Sequence, residues 1–174
     1  MLLSSGRPGA YVVHHLPELT VNDRARAVGR SRLKCDRQAI AGEPISVVFE
    51  LILPEQGLPV GGRLAIAWRW PLDFGELQVT KPDEPNYLTA ETDVVGVALD
   101  VRYFAVSQFD PWKHAIELTV CRKPLLPFSR VQVTCSQWHS PTCITEGVRF
   151  LAVVQEQESL EWRQLVDPTS VTVH

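Results

Sequence analysis

Apolar and polar residues alternate with period two in one segment of the chain after another. The odd positions Ile45, Val47, Phe49, Leu51 and Leu53 make one apolar face, and Leu64, Ile66, Trp68 and Trp70 oppose Arg63, Ala65, Ala67 and Arg69. The same pattern runs through Val97, Leu99, Val101 and Tyr103, then Ile116, Leu118 and Val120, then Val131, Val133 and Cys135, and finally Val148, Phe150, Ala152 and Val154. Successive side chains on a strand point to opposite faces, so each segment predicts a strand with one face to bury. Shorter candidates lie at 27–35, 87–91 and 160–165, and Pro, Gly, Asp or Ser separates most of them. No segment carries a 3.6-residue apolar stripe; residues 19–28 come nearest, and Thr20, Val21 and Gly29 spoil it. Without helices there are no βαβ units, which removes dinucleotide-binding and P-loop architectures. One-sided strands stack as two sheets, so the pattern predicts an all-β fold, a two-sheet antiparallel β-sandwich, Ig-like or jelly-roll-like, of roughly eight to eleven strands. A closed barrel would read the same way. The expected organisation is an irregular N-terminal arm over 1–25, the sandwich over 26–165, and a C-terminal tail or start of a linker over 166–174.

Composition narrows the function classes. The chain has 174 residues, 45% of them hydrophobic, enough for one core without a staple. A net charge of −3 argues against nucleic acid as a general partner. Basic residues are densest at Arg24, Arg26, Arg30, Arg32, Lys34 and Arg37, read first as a solvated strand face and second as an anion-binding surface. No apolar run reaches the ~20 residues of a membrane-spanning helix. The expectation is a soluble, cytoplasmic chain with reduced thiols, no cofactor and no membrane partner.

Candidate chemistry is sparse. Cys135, His139 and Cys143 have C-x3-H-x3-C spacing, which suits zinc in ligand type but lacks a fourth ligand. An ordinary surface loop is the first reading of this stretch, a Cys135–Cys143 disulfide the second and a metal centre the third. His14 and His15 would point to opposite faces of a strand, and nothing in the spacing of His114, Asp110 and Glu117 shows convergence, so these read as surface or loop residues. There is no Gly-x-Ser-x-Gly elbow. Trp68 reads as core; Trp112 and Trp138 read as freer.

The stretch 61–87 carries the most information. A strand stops at Pro71, and a long excursion rich in Asp, Gly, Pro and Glu follows, closed by Asn86-Tyr87. Loops of this length are usually functional or architectural. The expected loop packs back on the sandwich through Phe74 and Leu77. Gln78 and Asn86 would satisfy its backbone, and Arg69 would pair with Asp73 at its base. The run Ile66-Ala67-Trp68-Arg69, Asp73-Phe74-Gly75, Gln78 and Pro85-Asn86-Tyr87 resembles the leading domain of an uncharacterised microbial family. In that family a β-sandwich precedes a metal-dependent hydrolase domain similar to the polymerase-and-histidinol-phosphatase type. Over residues 40–154 the resemblance implies an accessory domain, whose partner would be the hydrolase-like domain in the same or a neighbouring chain. No residue here matches the hydrolase's metal ligands. The alternative is a module for carbohydrate or another small polar ligand. Arg69, Asp73, Gln78, Asn86, Tyr87 and Trp112 are the candidate ligand or interface residues, with no catalytic residue among them.

Overall fold

The alternating segments fold as strands. The structure, a computed structural model, describes residues 14–15, 28–36, 38–69, 73–156, 161–165 and 169–174. The strands are β1 (His14–His15), β2 (Arg30–Cys35), β3 (Pro44–Ile52), β4 (Arg63–Trp68), β5 (Tyr87–Thr92), β6 (Ala98–Phe104), β7 (Phe109–Asp110), β8 (His114–Cys121), β9 (Arg130–His139), β10 (Thr145–Gln155), β11 (Arg163–Gln164) and β12 (Thr169–Val173). There is no helix among the described residues. Two separate sheets stack, as a sandwich and not a barrel. The smaller has the order β2-β3-β9-β5, the larger β11-β10-β4-β8-β6, with β12 also on β10. At Phe150 strand β10 pairs both Trp68 and Thr169, so β12 takes the edge of β10 that faces away from β4. Every pairing within the two layers is antiparallel, whereas the short β1 and β7 pair in parallel.

The core lies between the layers, where the predicted inward faces meet. Val47, Phe49 and Leu51 of β3 and Val131, Val133 and Cys135 of β9 face Leu64, Ile66 and Trp68 of β4, Ile116, Leu118 and Val120 of β8, and Phe150 and Val154 of β10, all buried. Each such side chain contributes about 1.5–3 kcal/mol by leaving water. Phe49 and Phe150 meet across the layers, edge to face at 5.0 Å.

Three features depart from the sequence reading. The first is a bulge in β9. Val47 pairs with Cys135 but Ile45 pairs with Trp138, so β9 gains one residue between them, beside Gln137 at φ 46°. An extra residue inverts side-chain parity. Trp138, expected to be free, therefore turns inward and is fully buried. The second is that the centre of the larger sheet, β4 with the adjoining parts of β8 and β10, is buried on both faces. The outward residues Ala65 and Ala67 of β4 leave room on the outer face, and Phe109, Trp112 and Trp162 pack there with Ala115, Leu151 and Val153 as a second core. Trp112 is thus buried too. The third concerns the stretch expected as a tail: Thr169–Val173 is a strand of the larger sheet, and Val173 bridges to Ala39.

Candidate functional site

At one end of the sandwich three connections are tied into one platform. They are the β2–β3 turn around residues 39–43, the β4–β5 loop over 73–86, and the β9–β10 turn at 140–144. Gly42 donates its amide to the Pro141 carbonyl (2.8 Å), Ser140 its amide to the Glu43 carbonyl (3.1 Å), and the Ser140 hydroxyl donates to the Ile40 carbonyl. Asp73 receives both the amide (2.9 Å) and the hydroxyl (2.7 Å) of Thr142. Those two bonds hold the Asp73 carboxyl below its usual range.

The 73–86 loop is braced from inside. Phe74 stacks on Trp138 at 4.3 Å, and Trp138 Nε1 donates to the Gly75 carbonyl (2.8 Å). Asn86 sits in the left-handed region at φ 62°, a conformation asparagine tolerates, and its Oδ1 accepts the His139 amide at 2.9 Å. Gln78 closes the outer half: Oε1 accepts the Thr80 and Lys81 amides (2.9 and 2.8 Å), and Nε2 donates to the Lys81 carbonyl (2.8 Å). Loop backbone groups that no ladder satisfies thus find side-chain amides. Among the charged and polar residues that the platform leaves outside, each connection also exposes one large apolar side chain: Ile40 is 50% exposed, Val79 43% and Ile144 77%.

Beneath the loop lies an aromatic cluster centred on Trp68. His114 stacks on it at 5.2 Å, Tyr103 at 6.1 Å, and Trp138 meets it edge-on at 5.3 Å. The Tyr103 hydroxyl and His114 Nδ1 are 3.0 Å apart, in hydrogen-bond contact. Burial, with the Glu76 charge adding to it, pushes the Tyr103 phenol up to about 12. Burial holds the His114 imidazole below its ordinary value, against an opposing pull from Glu76. His114, expected at the surface, is a buried member of the core rim.

The sequence-predicted site residues do not form one cluster. Asp73, Gln78 and Asn86 are engaged within the platform, as just described. No ion pair joins Asp73 to Arg69 among the described residues; Thr142 takes its place. Tyr87 opens β5 opposite Ser136 and is half-buried. Arg69 and Trp112 do come together, lining a cavity of about 180 Å³ with Thr145, Glu146, Val148 and Arg149. Trp70, Pro71, Arg24, Arg26 and Arg37 lie outside the described residues. The Cys135–Cys143 stretch, expected as a loop, continues β9 as far as His139. Cys135 is buried in the core and its thiol is pushed up by burial, away from the thiolate a metal needs; Cys143 is exposed in the turn. All four cysteines are free thiols, and no group of three metal-ligating side chains occurs among the described residues. The platform residues that sequence reasoning missed are Ile40, Ser140, Thr142 and Ile144. Their one signal is the Ser-Pro-Thr turn followed by an isolated isoleucine.

No protein-family model and no curated protein matches the chain. Among solved structures it is similar to a cohesin module from a Clostridium perfringens ATCC13124 family 33 glycoside hydrolase, with 12% identity, 85% of this chain and 98% of that chain covered, and a TM-score of 0.48. It is also similar to AggA, the major subunit of aggregative adherence fimbriae type I from Escherichia coli, with 15% identity, coverage of 92% and 99%, and a TM-score of 0.32. No helix among the described residues is long and apolar enough to cross a membrane.

Proposed function

We propose that this chain is a non-catalytic interaction module that docks a partner domain through the platform. The observation that carries this reading is the cross-bracing of three separate connections, each of which keeps one large apolar side chain exposed, Ile40, Val79 and Ile144. A surface already ordered before binding loses little conformational freedom on association, which favours affinity per unit of area. Apolar residues on rigid loops are the usual material of such contacts.

The partner we propose is a metal-dependent hydrolase domain, in the same or a neighbouring chain. The residues that carry the family resemblance, Asp73, Phe74, Gly75, Gln78 and Asn86, are those that build the platform, and this supports the reading. The test is co-purification with the histidinol-phosphatase-like domain of a longer family member. A complex should elute together, and Ile144→Glu with Val79→Glu should abolish it while leaving the unfolding transition in place. Absence of a complex, or one indifferent to both substitutions, would refute the docking reading.

A further inference from the structure

The outer face of the larger sheet holds a second, chemically different site. Register places Arg63 of β4 beside Gln155 of β10 and Thr119 of β8, one row from Glu117. Because Ala65 and Ala67 are small, the β6–β8 connection folds down over this face, and Trp162 closes it from the other side. What remains is a cavity of about 180 Å³ lined by Arg63, Phe104, Gln108, Phe109, Ala115 and Glu117. The sequence pattern puts Arg63 on the strand face opposite Leu64 and Ile66 and reads Glu117 as a surface or loop residue. The structure instead leaves Glu117 only 9% exposed.

The polar groups are oriented by their neighbours. The Arg63 guanidinium lies over the Trp162 ring at 5.1 Å, and it donates to Gln155 Oε1. It reaches Glu117 Oε1 only at 3.5 Å, a long contact, while Glu117 Oε2 accepts from Gln108 Nε2 at 2.9 Å. A carboxylate has about four acceptor sites and a guanidinium five donors, so both keep capacity for a guest.

We infer that this cavity binds a single neutral sugar ring. The charges are paired, one positive against one negative, so a charged guest would meet a like charge beside its partner; a neutral polar guest meets none. Hydroxyls donate to the carboxylate and accept from the guanidinium and the carboxamide, and charge-assisted bonds of this kind are stronger than neutral ones. Half-buried Phe104 offers ring surface to the apolar face of a pyranose, and fully buried Phe109 backs the cavity wall. A cavity of about 180 Å³ suits a guest of single-ring size.

This site lies on a sheet face and the platform at the strand ends, so each inference stands or falls alone. The test is titration of the full chain with glucose, galactose, mannose and N-acetylglucosamine, followed by tryptophan fluorescence and calorimetry. Acetate and ammonium serve as charged probes. At least one sugar should bind saturably, and Gln108→Ala and Glu117→Gln should each weaken it roughly tenfold. If Glu117→Gln fails to fold, Gln108→Ala, in a half-exposed connection, decides alone. The inference is overturned if none of the four sugars saturates, if Gln108→Ala leaves their affinity unchanged, or if acetate or ammonium binds more tightly than every sugar.

Discussion

Trp68 offers the sharpest test of the packing. Its indole is fully buried and touches Phe74, Tyr103, His114, Trp138 and Phe150. Its Nε1, however, has no hydrogen-bond partner among the described residues. Trp68→Ala removes the whole ring from a close-packed site and should cost about 3–5 kcal/mol. Trp68→Phe removes two carbons and the nitrogen. At ~0.8 kcal/mol per methylene-sized group the lost carbons cost roughly 1.5 kcal/mol. Deleting a buried, unpaired donor returns about 1–3 kcal/mol. The two terms nearly cancel, so Trp68→Phe should lie within about 1.5 kcal/mol of the parent protein. Urea unfolding measures both variants, provided the slopes agree and the transitions stay two-state. If the phenylalanine variant is as damaged as the alanine one, the reasoning about the unpaired indole nitrogen fails.

Further expectations concern the platform, protonation and thiols. A β-carbon on Gly75 would sit 2.5 Å from Asn86 Oδ1, so Gly75→Ala should displace that side chain from the His139 amide and cost about 1–2 kcal/mol, read by thermal unfolding; an unchanged midpoint would count against the bracing. Because the folded protein holds the His114 imidazole low, the unfolded chain binds a proton the folded one refuses. Its stabilising effect is full above about pH 6.5 and drains away as pH falls toward the folded value, so His114→Phe should flatten the loss of stability measured between about pH 7 and 5. A thiol reagent should label exposed Cys143 rapidly in the native protein and Cys135 only on unfolding; equal rates would contradict the buried placement of Cys135.

The fold class was readable from residue parity, because a one-residue slip moves every side chain to the other face. That logic correctly turned Leu64, Ile66 and Trp68 inward, along with the apolar faces of β3, β8 and β10. It failed at Trp138 because the bulge beside Gln137 breaks parity, and a bulge leaves no apolar trace in the sequence. It failed at Trp112 and Glu117 because burial of an outer sheet face depends on where a distant connection returns, which period-two reasoning treats as solvent. Within the loop, the brace formed by Gln78 and Asn86 was foreseen in kind. The donor to Asp73 was not, since Thr142 is brought near by topology and lies far away along the chain.

The double-sided burial at the centre of the larger sheet carries a dynamic consequence. Strand β4 has a neighbour along each edge, β8 and β10, and packed side chains above and below. Amides so enclosed exchange with solvent only when the whole domain opens, whereas edge strands such as β2 and β6 open locally at lower cost. The slowest-exchanging protons should therefore map to Leu64–Ala67, and their rate reports the global unfolding free energy. Arg63 stands at the margin of that most slowly exchanging segment, on backbone that ordinary thermal motion disturbs least.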